Sequence, residues 1–288
     1  GDGAPEPVAS LPGVNRLSIK DVVDHARQAV DLNIPAIALF PRIDPANKTD
    51  DGSHAHDPGN LICRCISAVR DNVPGLGIIT DVALDPFTSH GHDGVIIDGS
   101  VANDETIDVL VRQAITQARA GASVIAPSDM MDGRIGAIRA GLDAEGFTDV
   151  MIMAYAAKFS SSFYGPFRDA VGAGKTANTI GKDTYQIDPS NSDEAMREIA
   201  LDISEGTDFI IVKPGMPYLD IIQRASSSYA IPIIAYQVSG EYAMIEAAAA
   251  AGFIDRSRII MESLTAFRRA GANAIITYHA AEVASHLT

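Results

Sequence analysis

The chain has 288 residues, 47% hydrophobic and 20% charged, with 24 glycines and 15 prolines. That balance excludes disorder and small stapled scaffolds, and the length suits a single α/β barrel. A formal charge of −15, from 22 basic and 37 acidic residues, argues against nucleic acid or an anionic membrane as the main partner.

Taken in order, residues 1–13 carry three prolines and read as a linker after a strand that lies upstream of residue 1. Ser18 and Asp21 form an S-x-x-D capping pattern, and the helix that follows sets Ile19, Val22, Val23, Ala26 and Val30 on one face. The apolar run 34–40 is a strand, stopped by Pro41. Cys63 and Cys65 come next. On a helix their spacing points them apart, so they are packing or surface thiols rather than a disulfide or a shared metal site. Further strands fall at 77–82, 123–126, 150–154, 209–212, 231–236 and 274–278. Most are rich in Ile and Val, as strands buried on both faces are.

The helices between them carry their own signals. Ile107, Leu110, Val111, Ala114 and Ala118 repeat at helical spacing before Gly121. Asn191 with Glu194 opens another helix, with Met196, Ile199, Ala200 and Ile203 inward. Helices at 218–227, 241–251 and 257–270 complete the alternation. Strand–helix alternation means a parallel α/β architecture. No Gly-x-Gly-x-x-Gly follows an early strand, which removes the best marker of an open dinucleotide-binding sheet. Seven strands are one short of a (β/α)8 TIM barrel, and the upstream strand makes the eighth. The expectation is one catalytic domain over residues 1–288, in the cytoplasm. Cysteines are few and no secretory signal or run of ~18 apolar residues is present.

In a barrel, function sits where strands end. Lysine is scarce in this chain, yet Lys158 and Lys213 each follow an apolar strand at the expected catalytic face. Either could pair with an acid or snorkel to water. Two in one barrel mouth favour amines deprotonated by burial and mutual repulsion, ready for Schiff-base chemistry on a ketone.

The segments MIMAYAAKF (151–159), YGPFR (164–168), APSDMMDGR (126–134), VKPGMPY (212–218) and YQVSGE (236–241) resemble the porphobilinogen synthase (5-aminolevulinate dehydratase) family, and the match runs from about Pro12 to the C-terminus. The resemblance implies condensation of two 5-aminolevulinate molecules to porphobilinogen in tetrapyrrole biosynthesis. It also implies no organic cofactor, and self-association to a homo-octamer or hexamer through an N-terminal arm expected upstream of residue 1. Lys213 matches the Schiff-base lysine of one substrate site and Lys158 that of the other. Ser239 and Tyr278 match the carboxylate contacts of the first site; Arg168, Lys182 and Gln186 match those of the second. Lys182 stands where other members have arginine, so a point charge replaces a bidentate fork. Asp81, Ser128, Asp129, Tyr164 and Tyr236 match other lining residues, and Asp81 or Asp129 is either a proton relay or a counter-ion.

Zinc-type members keep three cysteines where this chain has Ala83, Asp85 and Asp93, so no zinc is expected. Asp85 and Asp93 could hold Mg2+ or K+, or form a hydrogen-bonded loop in a metal-independent enzyme. Glu198 matches a magnesium ligand outside the active site, and would otherwise be a solvated helix position. Residues 160–183 read as a lid. Another Schiff-base barrel lyase of the class I aldolase type is the alternative function. A non-catalytic barrel is a third. The paired lysines and two sets of carboxylate contacts count against both.

Overall fold

The structure is a computed structural model and describes residues 3–172 and 180–287, so the tip of the expected lid, 173–179, lies outside the described residues. Seven parallel strands form one sheet: β1 (Ala36–Leu39), β2 (Gly77–Val82), β3 (Val124–Pro127), β4 (Met151–Lys158), β5 (Phe209–Lys213), β6 (Ile233–Tyr236) and β7 (Ala274–Ile276). Each pairs with its successor, and the sheet curls into a nearly closed barrel. Among the described residues β1 and β7 do not pair with each other. A cavity of about 490 Å³ lies beside β1, lined in part by Leu11, Val14, Ile37 and Tyr278.

Most expected strands are found, with ends moved by a residue or two. β1 starts at Ala36, and the amide of Gly77 on β2 reaches one residue further back, to the carbonyl of Pro35. β7 ends at Ile276, where Thr277 turns to donate its hydroxyl to Gln237. β4 runs four residues further than the apolar pattern indicates and ends on Lys158 itself.

Helices cover the outside. In α1 (Ile19–Asp31), Ser18 and Asp21 form the expected reciprocal cap. Its buried stripe is Val23, Ala26 and Ala29, whereas Val30, expected inward, is 44% exposed. Both cysteines lie buried and unbonded to each other on α2 (Leu61–Asn72). In α6 (Ser192–Ser204), Asn191 caps the amide of Glu194 as expected. Asp202 is buried there while Ala200 is exposed, because a buried arginine draws Asp202 inward. The remaining helices are α3 (Asn103–Ala120), α4 (Arg134–Ala144), α5 (Gly165–Val171), α7 (Leu219–Ser228), α8 (Ser239–Ala250), α9 (Arg256–Ala270) and α10 (Ala280–Leu287). Among the described residues no helix is long and apolar enough to cross a membrane.

Two apolar layers result. The larger lies between strands and helices and includes Ile78, Ile125, Ile152, Ala154, Ile210 and Val212. The smaller fills the barrel with Val124, Met153, Tyr155, Ile211, Ile234 and Tyr236. Alternation along each strand sorts residues between them.

Candidate active site

Both lysines face the barrel interior, and for Lys158 alternation alone does not explain it. Along β4, Ile152 and Ala154 face the helices while Met153 and Tyr155 face inward. That parity would send Lys158 outward. The register with β5 slips between Ala154 and Ala157, so three residues on β4 span two on β5. This bulge inserts one residue and reverses the parity. Ala157 joins the outer layer, and Lys158 arrives opposite Lys213 in the ladder.

The two amines have different surroundings. Lys158 donates to Asp93 Oδ1 at 3.1 Å and to the carbonyl of Ser128. Lys213 makes no salt bridge among the described residues. Its Nζ instead lies 4.9 Å from the ring centre of Tyr155, 5.1 Å from Tyr236 and 5.2 Å from both Tyr164 and Phe167. Burial, with the neighbouring Lys158 charge, lowers its pKa to about 7 against the pull of Asp81. Asp81 is raised to about 6, chiefly by burial and then by Asp85; a hydrogen bond with Ser128 and the two lysines restrain the rise. Its Oδ1 has no hydrogen-bond partner among the described residues.

The loop after β5 is pinned from below. The buried Glu241 carboxylate accepts the amide of Val238 at 2.5 Å, that of Gly215 at 3.3 Å and that of Met216. Burial raises its pKa to about 7 while those three donors oppose the rise. Ser239 accepts the amide of Phe167 at 2.9 Å, which ties α8 to α5. Gly240 makes this possible, since a Cβ there would stand 2.5 Å from the carbonyl oxygen of Phe163. Gly240→Ala is therefore expected to destabilise by about 1–3 kcal/mol, read as a lower urea midpoint with unchanged slope.

The other expected residues differ in how they meet this centre. Tyr236 shares a hydrogen bond with Tyr278, and the Tyr164 hydroxyl lies 2.7 Å from the Phe159 carbonyl and 3.1 Å from that of Lys213. Gln186 is buried, with its Oε1 unpartnered among the described residues. Arg168 is exposed on α5. Asp129 does not sit as a free lining group. It accepts the amide of Met131 at 2.7 Å and lies 3.5 Å from the buried Arg134, so its surroundings favour the counter-ion reading over the relay. Burial raises its pKa to about 6 despite that cation.

Asp85 and Asp93 turn inward onto lysines. Lys182 Nζ is 2.8 Å from Asp93 Oδ2 and 3.3 Å from Asp85 Oδ2. Burial alone would raise the pKa of Asp93, but Lys158 and Lys182 hold it well below the usual carboxylate range. Tyr185 donates to Asp93 Oδ2 at 2.7 Å. Among the described residues no group of three or more His, Cys, Asp or Glu side chains is arranged to hold a metal. With ammonium groups between its carboxylates, this pair does not fit a metal ion. Glu198 is half-buried on α6. Burial, Asp132 and Asp202 raise its pKa while Arg134 opposes them.

Sequence reasoning had no role for Tyr155, Phe167, Tyr185, Glu241 or Arg134. Only Tyr155 carried a usable signal, through its place on the inward parity of β4.

Fold and site define a parallel α/β-barrel enzyme with paired amines at the C-terminal mouth. The chain belongs to the delta-aminolevulinic acid dehydratase family, whose sequence profile matches residues 1–286. It is 57% identical over 287 residues to delta-aminolevulinic acid dehydratase of Bradyrhizobium diazoefficiens, covering 100% of this chain and 81% of that one. The Rhodobacter capsulatus relative is 48% identical over 278 residues, covering 96% and 83%. The crystal structure of the Toxoplasma gondii enzyme with its reaction product porphobilinogen superposes with a TM-score of 0.97 at 47% identity, covering 99% of this chain and 82% of that one.

Proposed function

We propose that this protein is a hydro-lyase that joins two molecules of 5-aminolevulinate into porphobilinogen and releases two waters, a step of porphyrin and heme biosynthesis. The observation that carries the catalytic reading is Lys213: a buried amine with a pKa near 7, boxed by four rings and adjacent to a second lysine. Near neutral pH a large fraction is free base, able to attack a ketone and lose water to an imine. An imine then acidifies the neighbouring carbon for C–C bond formation.

Joining two identical molecules unsymmetrically needs two unlike pockets, and the two amines differ as required. Lys213 is desolvated among rings, while Lys158 is held by Asp93 and the Ser128 carbonyl. In this reading Ser239 and Tyr278 hold the carboxylate of the substrate on Lys213. Arg168, Lys182 and Gln186 hold that of the other. Asp81, with a pKa near 6, moves protons beside Lys213. Residues 160–172 and 180–183, which flank the pair, belong to a lid in this reading. The family resemblance extends the reading to a homo-octamer or hexamer, to Mg2+ on Glu198, and to residues 1–288 as one catalytic domain.

The test is porphobilinogen formation from 5-aminolevulinate with EDTA, and again with added Mg2+ or K+. Product is expected in EDTA, with at most a several-fold rise on adding Mg2+. No product under any of these conditions would refute the reaction. Inactivation rescued by zinc alone would refute the metal reading.

A further inference from the structure

The loop between β2 and α3 brings Asp85 and Asp93 together at the barrel mouth, where they are 7% and 1% exposed. Two carboxylates converging in a buried place repel unless a cation stands between them. Here Lys182 does, at 2.8 Å and 3.3 Å. Those are ordinary charge-assisted N–H···O distances, so the ammonium itself bridges the two carboxylates. Asp93 spends its other oxygen on Lys158 at 3.1 Å, and Tyr185 holds the oxygen shared with Lys182 at 2.7 Å. The cluster is thus closed without any ion from solution.

We propose that Lys182 is a built-in cation, its ammonium filling the position between Asp85 and Asp93 that an ion would otherwise take, so that this loop is ordered by the chain itself. Tethering sets its effective concentration at millimolar or above, and a dissolved ion must displace it to enter. An ammonium has three N–H donors and the two aspartates use two. The third is left for an incoming carboxylate, so this role is compatible with substrate binding and does not depend on it.

Shortening the side chain should convert the place into an ion site. Mn2+ alone is titrated into the folded full chain and bound ion is counted by electron paramagnetic resonance. Lys182→Ala is expected to bind one more Mn2+ per chain than wild type, at least tenfold tighter than any Mn2+ wild type holds on this loop. The added ion should vanish in the double variant Lys182→Ala/Asp85→Asn. Lys182→Arg, which keeps the charge, should bind no more than wild type. An unchanged count in folded Lys182→Ala overturns the proposal, as does an added ion that survives loss of Asp85. Wild type against Asp85→Asn decides it independently of the alanine variant: equal counts are expected, and an ion lost from wild type on that change would overturn it.

Discussion

Lys213→Ala is expected to lose porphobilinogen formation by at least about 10³-fold while the barrel stays folded. Borohydride added with 5-aminolevulinate should fix substrate carbon on Lys213 in the wild type and leave that position unlabelled in the variant. Label absent from Lys213 in folded wild-type protein would sink the assignment. Loss of activity will not reflect unfolding. The folded pKa near 7 lies below the ~10.4 of an unfolded lysine. The unfolded chain binds more protons across that window, so this group's contribution to stability rises with pH from about 7 to 10 and is wholly unfavourable below it. Replacing Lys213 by Met should therefore leave the thermal midpoint at pH 7 unchanged or higher.

The same amine sets a pH profile. Imine trapping should climb through about pH 7 as free base accumulates, then level off. Lys158→Met removes a repelling charge and moves that midpoint up. Asp81→Asn removes an attracting one and moves it down. Shifts of the same sign in both variants would contradict the electrostatic origin of the depressed pKa.

Why Lys213 was legible and Lys158 only half so is a matter of strand geometry. β5 alternates without interruption, so Ile211 inward makes Lys213 inward. β4 does not, and its parity at Ile152 and Ala154 sends Lys158 to the helices until the slip between Ala154 and Ala157 reverses it. A bulge of this kind leaves no mark in the run Ala154, Ala156, Ala157, whose small residues suit either face. Its place just past an apolar strand, and the family motif around it, put Lys158 in the site; periodicity alone would put it outside. Partners distant in sequence were illegible for a different reason. Tyr185 lies 92 residues from Asp93, and nothing local to either announces their hydrogen bond. Lys182 matches a substrate contact of the family, and its pairing with Asp85 and Asp93 is equally distant in sequence. Helix caps, by contrast, were plain, because Ser18–Asp21 and Asn191–Glu194 act within one turn.

Arg134→Ala should be the most destabilising single change near the site, by about 3–5 kcal/mol in urea unfolding at pH 7. The guanidinium is 2% exposed and contacts both oxygens of Asp202 at 3.2 Å, with Asp129 at 3.5 Å. It also donates to the carbonyls of Met131 and Tyr155. Removing it strands two buried carboxylates without a cation. Lysine cannot replace it, since one ammonium cannot present a planar fork to Asp202 and still reach Asp129. A double change, Arg134→Met with Asp202→Leu, should cost less than the sum of the singles, because it leaves only Asp129 uncompensated. Solution pH separates this mechanism from simple loss of packing. Burial already raises both carboxyls, Asp129 to about 6, despite the arginine. Without the arginine they rise further, so in the variant the folded state binds protons that the unfolded state, with carboxyls near 3.9, does not. Protonation then relieves the stranded charge as pH falls. The destabilisation should be smaller at pH 5 than at pH 8, and a loss independent of pH would mean that shape, not charge, is what Arg134 supplies.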